Sequence, residues 1–366
     1  MIDGGRLDYA LKSSFFNKLK ESSLFFPQSI TYGPHTIAAM HAVFSGCYGF
    51  RTGTNSYWST FKFKKNKFKT ITEYLKDNNY YTISDIVNEL VIPKQGFDEF
   101  LIHDELKDNL ILRHKELLRQ CKQINENEKP FFIYLQYSNI HTGIMNEVLK
   151  VYDNFSKEYF ENKEKNKNRY EKLFQNAICY LEEILNYIKI LEIDKNSLIL
   201  IMSDHGISIG EKVGERAYGA FCYDYTLRTF TYFLSDDIPN KTISQQIQTI
   251  DFMPTILDYL GIQLDKNFES LDGISLFPLI RGEQFKENFA FSETGNPLNE
   301  KQPPMEPNTK SIRTSKWKLI YNEYNNTKEL YDLENDPNEE TNLINKENEI
   351  SNILWSEMMK LGVKTN

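Results

Sequence analysis

Cysteine is scarce in this chain: four residues in 366, at Cys47, Cys121, Cys179 and Cys222. No two stand at Cys-x-x-Cys spacing, which argues against a zinc ribbon or a dithiol redox motif. Free thiols of this kind fit a reducing, cytoplasmic setting. Long apolar runs are lacking too. None approaches the roughly 20 residues that a membrane helix needs, so no membrane span is expected in this chain. A surplus of positive charge is also absent. There are 43 Lys and Arg against 51 Asp and Glu, a formal net charge of -8. That balance excludes the basic face of a nucleic-acid binder. The one basic, aromatic run, Lys62 to Lys69, reads as a solvated loop or helix face. No signal peptide precedes Asp3. The opening Met1-Ile2-Asp3-Gly4-Gly5 reads as the tail of a buried strand entering a loop, with the body of the strand missing. A truncated or misassigned start is expected, and any targeting segment would have been lost with it.

What the chain does have is apolar material, 40% hydrophobic and 14% aromatic. That is enough for one large domain, or a domain with a smaller companion. Continuous apolar and aromatic runs predict buried strands at Pro130 to Tyr137 and Ser197 to Met202, with further strands at Tyr80 to Ile83 and Phe230 to Leu234. Helices are expected at Leu7 to Ser22, Thr36 to Phe44, Ile71 to Asn78, Arg169 to Leu191 and Thr249 to Leu260. The charged stretch Lys157 to Lys167 reads as an exposed helix or loop. This alternation predicts an α/β fold with a mainly parallel central sheet sandwiched by helices. From about Gly282 the character changes. Residues 295–309, rich in Pro and Asn, read as a loop. Lys310 to Tyr321 and Thr327 to Asp332 read as antiparallel strands, and Glu347 to Leu361 as a closing helix. The expected division is an α/β domain over 1–284 and a small antiparallel subdomain over 285–366.

In such sheets chemistry collects at the carboxyl ends of the strands. Asp3, the segment Asn139 to His141 and the pair Asp204-His205 each follow an apolar strand candidate, which predicts one shared site. Asp204 offers a hard oxygen and His205 a nitrogen suited to zinc or manganese more than calcium. Taken singly, each residue has an ordinary structural role. Asp3 before two glycines makes a turn, His141 forms a hydrogen bond past a strand, and Thr36 caps a helix. Their joint spacing is what points to a site.

That spacing resembles the sulfatase branch of the alkaline phosphatase superfamily over nearly the full length. Ile2-Asp3-Gly4-Gly5-Arg6-Leu7-Asp8 resembles the family's opening strand-loop. Thr36 to Gly46 resembles its nucleophile helix, normally Cys-x-Pro-Ser-Arg-x-x-Leu-Leu-Thr-Gly, and Cys47 to Gly53 the tail that follows. Ile71 to Lys76 and Gly96 to Phe100 are similar to two further segments. Ser138-Asn139-Ile140-His141 is similar to the strand-end histidine. Ser203-Asp204-His205-Gly206, with Gly210-Glu211, is similar to the second metal corner. Asp251-Phe252-Met253-Pro254-Thr255, Glu329 to Leu333 and Asp336 to Glu339 complete the series.

The departures carry chemistry. Thr36 stands where the family has a cysteine or serine that becomes formylglycine, and threonine cannot be so converted. Ala38, Ala39 and Met40 replace the Pro, Ser and Arg. Ile83 to Asn88 contains neither residue of the sulfate-binding Lys-His loop, and Tyr218 stands where a second histidine is expected. Cys47-Tyr48-Gly49-Phe50-Arg51 has a Cys-x-x-x-Arg outline but lies after the helix. A threonine ester of sulfate lacks the elimination route of a formylglycine hydrate, whereas a phospho-threonine is open to in-line attack at phosphorus. The resemblance therefore implies an ester hydrolase or transferase favouring phosphate over sulfate, with a covalent Thr36 intermediate. It implies one divalent cation, manganese or zinc before calcium, held by Asp3, Thr36, Asp204 and His205. His141 would hydrogen-bond the transferring group or protonate the leaving oxygen. Arg6 or Arg51 would neutralise remaining charge, with Glu211 and Lys212 at the rim. The expected substrate is a small-molecule, glycan or lipid-headgroup ester. Two rival readings stand beside it: a true sulfuric ester hydrolase working without formylglycine, and a degenerate, non-catalytic binding protein.

Overall fold

The computed structural model describes residues 1–148, 162–212, 218–295 and 306–361. The expected exposed segment Lys157 to Lys167 and loop 295–309 lie partly outside them. Twelve strands are present among the described residues. The first eight are β1 (Leu24–Ile30), β2 (Tyr81–Ile86), β3 (Glu99–Ile102), β4 (Phe131–Leu135), β5 (Ile199–Met202), β6 (Arg228–Leu234), β7 (Lys241–Thr242) and β8 (Ile247–Gln248). They form two ribbons of one central layer. β3, β2 and β4 pair in parallel. β5, β6 and β1 pair in that order, with β7 and β8 running parallel beside β1. β6 runs antiparallel to both β5 and β1. Ile2 joins the ribbons, bridging in parallel to Tyr137 on one side and Ser203 on the other.

Alternation along the strands sends successive side chains to opposite faces. Phe25, Ile201, Phe230 and Tyr232 enter one core with the helices Leu7–Lys12, Ser14–Glu21 and Lys163–Ile190. Leu24, Phe26, Met202 and Phe233 enter the other with the helices Thr36–Ser45, Ile71–Asp77 and Phe252–Tyr259. Helices on both faces of a mostly parallel sheet are what the alternating runs predict.

The remaining strands, β9 (Ala290–Thr294), β10 (Thr309–Arg313), β11 (Trp317–Asn322) and β12 (Thr327–Asp332), make a separate antiparallel sheet. Helix Asn348–Lys360 covers it through Leu354 and Met358, which pack with Ile312, Leu319 and Leu330. The expected strand Lys310 to Tyr321 is the hairpin of β10 and β11. The expected helix Leu7 to Ser22 is broken at Ser13, whose side chain caps the second half. Thr249 to Leu260 begins as a 3-10 turn, Thr249–Asp251, before turning α-helical.

Candidate active site

Three chain segments meet at the carboxyl ends of β4 and β5. The first is the loop after Ile2. Its Gly4 has φ +73°, and a side chain there would collide with Ile207. The second is the amino end of helix Thr36–Ser45. This helix is apolar all round, so it sinks wholly into the core, and residues 38–45 are all buried. Its cap is His35, whose Nδ1 accepts from the Ala38 amide at 3.4 Å. Thr36 is thus the first helical residue rather than the cap, and its hydroxyl is available to the site. Gly46, with φ 62°, ends the helix in the left-handed conformation that glycine tolerates best. The third segment is the corner Ser203 to Gly206 after β5.

The structure brings Asp3, Thr36, Asp204 and His205 together. Thr36 Oγ1 lies 3.3 Å from Asp3 Oδ2 and 3.3 Å from His205 Nε2. His205 Nε2 is 3.7 Å from Asp3 Oδ1 and 3.5 Å from Asp204 Oδ2. All four are nearly closed off, with Asp3 1%, Asp204 0%, His205 0% and Thr36 9% exposed. His205 Nδ1 is 2.8 Å from the Gly206 carbonyl. A carbonyl only accepts, so Nδ1 carries a proton, and Nε2 is the ring nitrogen turned toward the carboxylates. Asp204 Oδ1 accepts from the amides of Gly4 at 3.1 Å and His205 at 2.9 Å. Asp3 Oδ2 accepts from the Gln136 side chain at 2.8 Å. Asp3 Oδ1 and Asp204 Oδ2 are buried without a hydrogen-bond partner. Burial first, and then the charge of Asp204, pushes the Asp3 carboxyl well above its ordinary range. Two orphaned carboxylate oxygens and an imidazole nitrogen converge in a closed space, a set of atoms of metal-ligand type. These residues fit a divalent cation, since buried charges are paired or coordinate metals, and their ligand atoms lie within 4.8 Å of one another.

His141 stands beside this cluster. Its Nε2 is 2.6 Å from the Tyr218 hydroxyl, and the Tyr218 ring stacks on His205 with centroids 5.3 Å apart. Burial, then the nearby His205, pulls the His141 pKa down to about 3, so it is neutral at pH 7. Gln136 and Tyr218 thus join the expected residues. Gln136 was not singled out from the sequence. Its signal is a lone amide inside the apolar run Phe131 to Tyr137. Tyr218 is the position noted as departing from the family's histidine.

The candidate charged residues sit differently. The Arg6 guanidinium is held by Asp8 at 2.9 Å, by the Ile207 carbonyl at 2.9 Å and by Glu211. Among the described residues no bond runs from it to the four clustered side chains. Arg51 is tied to Asp272 at 2.7 Å and to the Ser270 carbonyl at 2.9 Å. Lys212 lies over the Tyr223 ring, 4.7 Å from its centroid, and reaches the Glu339 carbonyl. Burial pushes the Cys47 thiol up to about 12, which disqualifies it as a nucleophile.

Where the Lys-His loop is missing, Asp85 lies buried with His103 and His114, a second grouping of metal-ligand type. Arg113 grips both Asp85 oxygens, at 2.7 and 3.0 Å, and His114 Nε2 adds a bond at 3.0 Å. Burial alone would raise this carboxyl, but its bonds to His103, His114 and Arg113 outweigh burial and hold it far below the ordinary range. A guanidinium already pairs with this carboxylate, so its oxygens are not left orphaned as those of Asp3 and Asp204 are.

The sulfatase family profile matches residues 7–262, and the profile of the N-sulphoglucosamine sulphohydrolase C-terminal region matches residues 220–364. Choline-sulfatase of Rhizobium meliloti is 27% identical over 183 residues, covering 48% of this chain and 33% of the relative. The chain spans between 20% and 33% of the length of the curated relatives it matches. Among solved structures, a 2-O glycosaminoglycan sulfatase superimposes with TM-score 0.76 at 18% identity, over 99% of this chain and 90% of the other. The phosphonate monoester hydrolase of Agrobacterium radiobacter superimposes with TM-score 0.76 at 13% identity, over 98% and 94%. These two share the fold, and the profile covering residues 7–262 establishes the kinship: the chain belongs to the sulfatase family.

Proposed function

We propose that this chain is a metal-dependent ester hydrolase or transferase of the sulfatase family that works through a covalent Thr36 ester and prefers phosphorus to sulfur. The observation that carries the reading is the Thr36 hydroxyl, 3.3 Å from both an aspartate oxygen and an imidazole nitrogen, beside two orphaned carboxylate oxygens. A divalent ion bound by Asp3, Thr36, Asp204 and His205 would lower the pKa of that hydroxyl and polarise the ester. Thr36 Oγ1 forms a bond to phosphorus as its proton passes to Asp3 Oδ2, and the bond to the leaving group breaks with its electron pair going to the departing oxygen, which takes a proton from solvent to become the alcohol. Asp3 Oδ2 accepts the hydrogen bond of the attacking hydroxyl. The amino end of helix Thr36–Ser45 points partial positive charge at the transferring group. His141, neutral at pH 7 and bonded to Tyr218, serves as a hydrogen-bond partner rather than a charged acid. Water or an alcohol then attacks phosphorus, the bond from phosphorus to Oγ1 breaks with its electron pair going to Oγ1, and the proton released by the nucleophile restores the Thr36 hydroxyl.

Two facts favour phosphorus: threonine cannot form the aldehyde, and the Lys-His loop is replaced by the Asp85 network. A glycan ester is the alternative substrate class, in view of the glycosaminoglycan sulfatase of the same fold. The deciding experiment is intact-mass analysis after brief incubation with an activated phosphodiester and manganese or zinc. An adduct mapped to Thr36 is expected, together with loss of turnover in a folded Thr36→Ala variant. Full activity in that variant, or turnover of aryl sulfates with none of phosphoesters, would overturn the reading. Absence of any stoichiometric metal would favour a binding protein instead.

A further inference from the structure

Helix Asn139–Val148 starts just after β4 and carries His141 in its first turn. Its apolar side is settled by packing: Ile140 and Ile144, both 0% exposed, enter the core that holds Tyr137 and Phe174. Apolar contacts are non-directional, so they seat the helix without fixing its roll. Its polar side is held from a different strand. β3 ends at Ile102, and the next amide, of His103, donates to the Ile86 carbonyl at 2.9 Å, continuing the ladder with β2. His103 Nε2 lies 3.2 Å from the Oγ of Ser138, the residue just before the helix. The Ser138 carbonyl accepts from the Thr142 amide at 3.0 Å, the bond that opens the helix. The Thr142 hydroxyl meets the carboxylate of Glu105, two residues beyond His103. Residues 103–105 thus grip the helix start at Ser138 and again at Thr142, and His141 lies between the two grips.

The anchor behind His103 is the Asp85 network. His103 Nδ1 is 3.5 Å from Asp85 Oδ2, longer than the bonds that Arg113 and His114 make to the same carboxylate. His114 is fixed in turn, with its Nδ1 2.6 Å from the Tyr180 hydroxyl. The order Asp85, His103, Ser138 has the outline of a hydrolytic triad. Yet Ser138 is 0% and His103 2% exposed, so no substrate reaches them and Ser138 is not a nucleophile. What a closed chain of side chains can transmit is position. His141 meets Tyr218 on its far side, so its ring is set by that contact and by the backbone between Ser138 and Thr142. A misplacement of about 1 Å at a reacting group can cost about 100-fold in rate.

We propose that His103 is a positioning residue: through Ser138 it fixes the first turn of helix Asn139–Val148 and so sets where the His141 imidazole meets the transferring group. This rests on the role given to His141 above. Asp85 stands in the stretch that lacks the Lys-His loop. A segment that offers no direct contact to the ester here supports a group that does. The support is selective. Asp3 is held from the same strand end by Gln136, through bonds in which His103 has no part. Losing the bond to Ser138 therefore displaces His141 and leaves Asp3, Thr36, Asp204 and His205 in place.

Two amide substitutions separate the ring nitrogens of His103. His103→Gln carries its amide to where Nε2 stands and keeps a partner for Ser138. His103→Asn reaches only as far as Nδ1 and loses that partner. With an activated phosphodiester and manganese, His103→Asn is expected to lower kcat about 10–100-fold, with KM and manganese affinity close to those of the unaltered chain. His103→Gln is expected to restore most of the loss. Ser138→Ala, which removes a single hydroxyl, is expected to match His103→Asn, and the double variant to lose nothing further. The side-chain nitrogen signals of His141 in NMR spectra should move in His103→Asn and Ser138→Ala but not in His103→Gln, while those of His205 stay. Equal losses in the Asn and Gln variants, or His141 signals that stay in Ser138→Ala, would overturn the proposal. The nitrogen signals need no turnover. A chain that forms no Thr36 ester would therefore sink the proposed function, and the signals would still decide the case of His103.

Discussion

Gln136 illustrates how a single buried side chain can hold a site's carboxylate in place. Its Nε2 donates to Asp3 Oδ2, and its Oε1 accepts from the Val87 amide at 3.1 Å. It thereby pins the first carboxylate to the end of β2. Gln136→Leu keeps the volume and deletes both bonds, leaving a carboxylate oxygen and a backbone donor unpaired in a closed interior. A cost of about 1–3 kcal/mol in stability is expected. A loss of about 10–100-fold in manganese affinity is also expected, as for residues that orient metal ligands. Calorimetric titration beside urea unfolding reads both, and unchanged affinity would show that Asp3 holds its place without help. Asp3, Thr36, Asp204 and His205 were legible because each stands just past an apolar run or at a helix start. Gln136 was not, because one amide in a strand has no periodic signature and only the fold reveals which face it takes. Arg6 was legible as a charge but not as a paired one, since Asp8 and Glu211 come to it from two different turns.

The element that matters most for the site is helix Thr36–Ser45, and its burial has a measurable consequence. His41 is 3% exposed on this helix, and its Nδ1 is 2.9 Å from the Ile37 carbonyl. Burial pulls its pKa from 6.5 down to about 4. A lowered folded pKa means that the unfolded chain binds the proton first. The stability tied to neutral His41 is therefore complete above pH 6.5 and is lost as the pH falls toward 4. At about 1.4 kcal/mol per pKa unit, the loss approaches about 3 kcal/mol at pH 4. His41→Gln removes the titration. Unfolding curves of the two proteins should differ by a constant above pH 7 and converge, then cross, in the variant's favour on acidification. Parallel curves down to pH 4 would refute this. Elements differed in how readable they were for equally physical reasons. β4 and β5 announce themselves as apolar runs. β1 contains Pro27, which argues against a central strand, and the fold accepts it only through a register shift between Phe26 and Ser29. β9, Ala290 to Thr294, is wholly buried but carries Ser, Glu and Thr, so its composition hid it.

Across the whole molecule, the candidate site clamps together parts of the chain that are far apart in sequence. Asp3 is 33 residues from Thr36, and Thr36 is 169 residues from His205. Bringing two buried carboxylates together costs free energy in the ion-free fold, and the raised pKa of Asp3 is how that cost is expressed. Between the ordinary aspartate pKa of about 3.9 and that raised value, the folded chain binds a proton that the unfolded chain has released. The ion-free fold therefore loses stability as the pH rises through that window. A divalent ion takes the place of the proton, so its stabilising effect grows with pH. At a free concentration about 100 times its Kd, the ion should add about 2.7 kcal/mol. Thermal unfolding with manganese and with a chelator, at pH 5 and at pH 8, checks this. The manganese-induced rise should be larger at pH 8, and it should shrink in Asp204→Asn, where one carboxylate is gone. Equal shifts at both pH values would mean that no proton leaves Asp3 when the ion binds. No shift at either would remove the metal from this site, and with it the reason for two orphaned carboxylate oxygens to face one imidazole nitrogen.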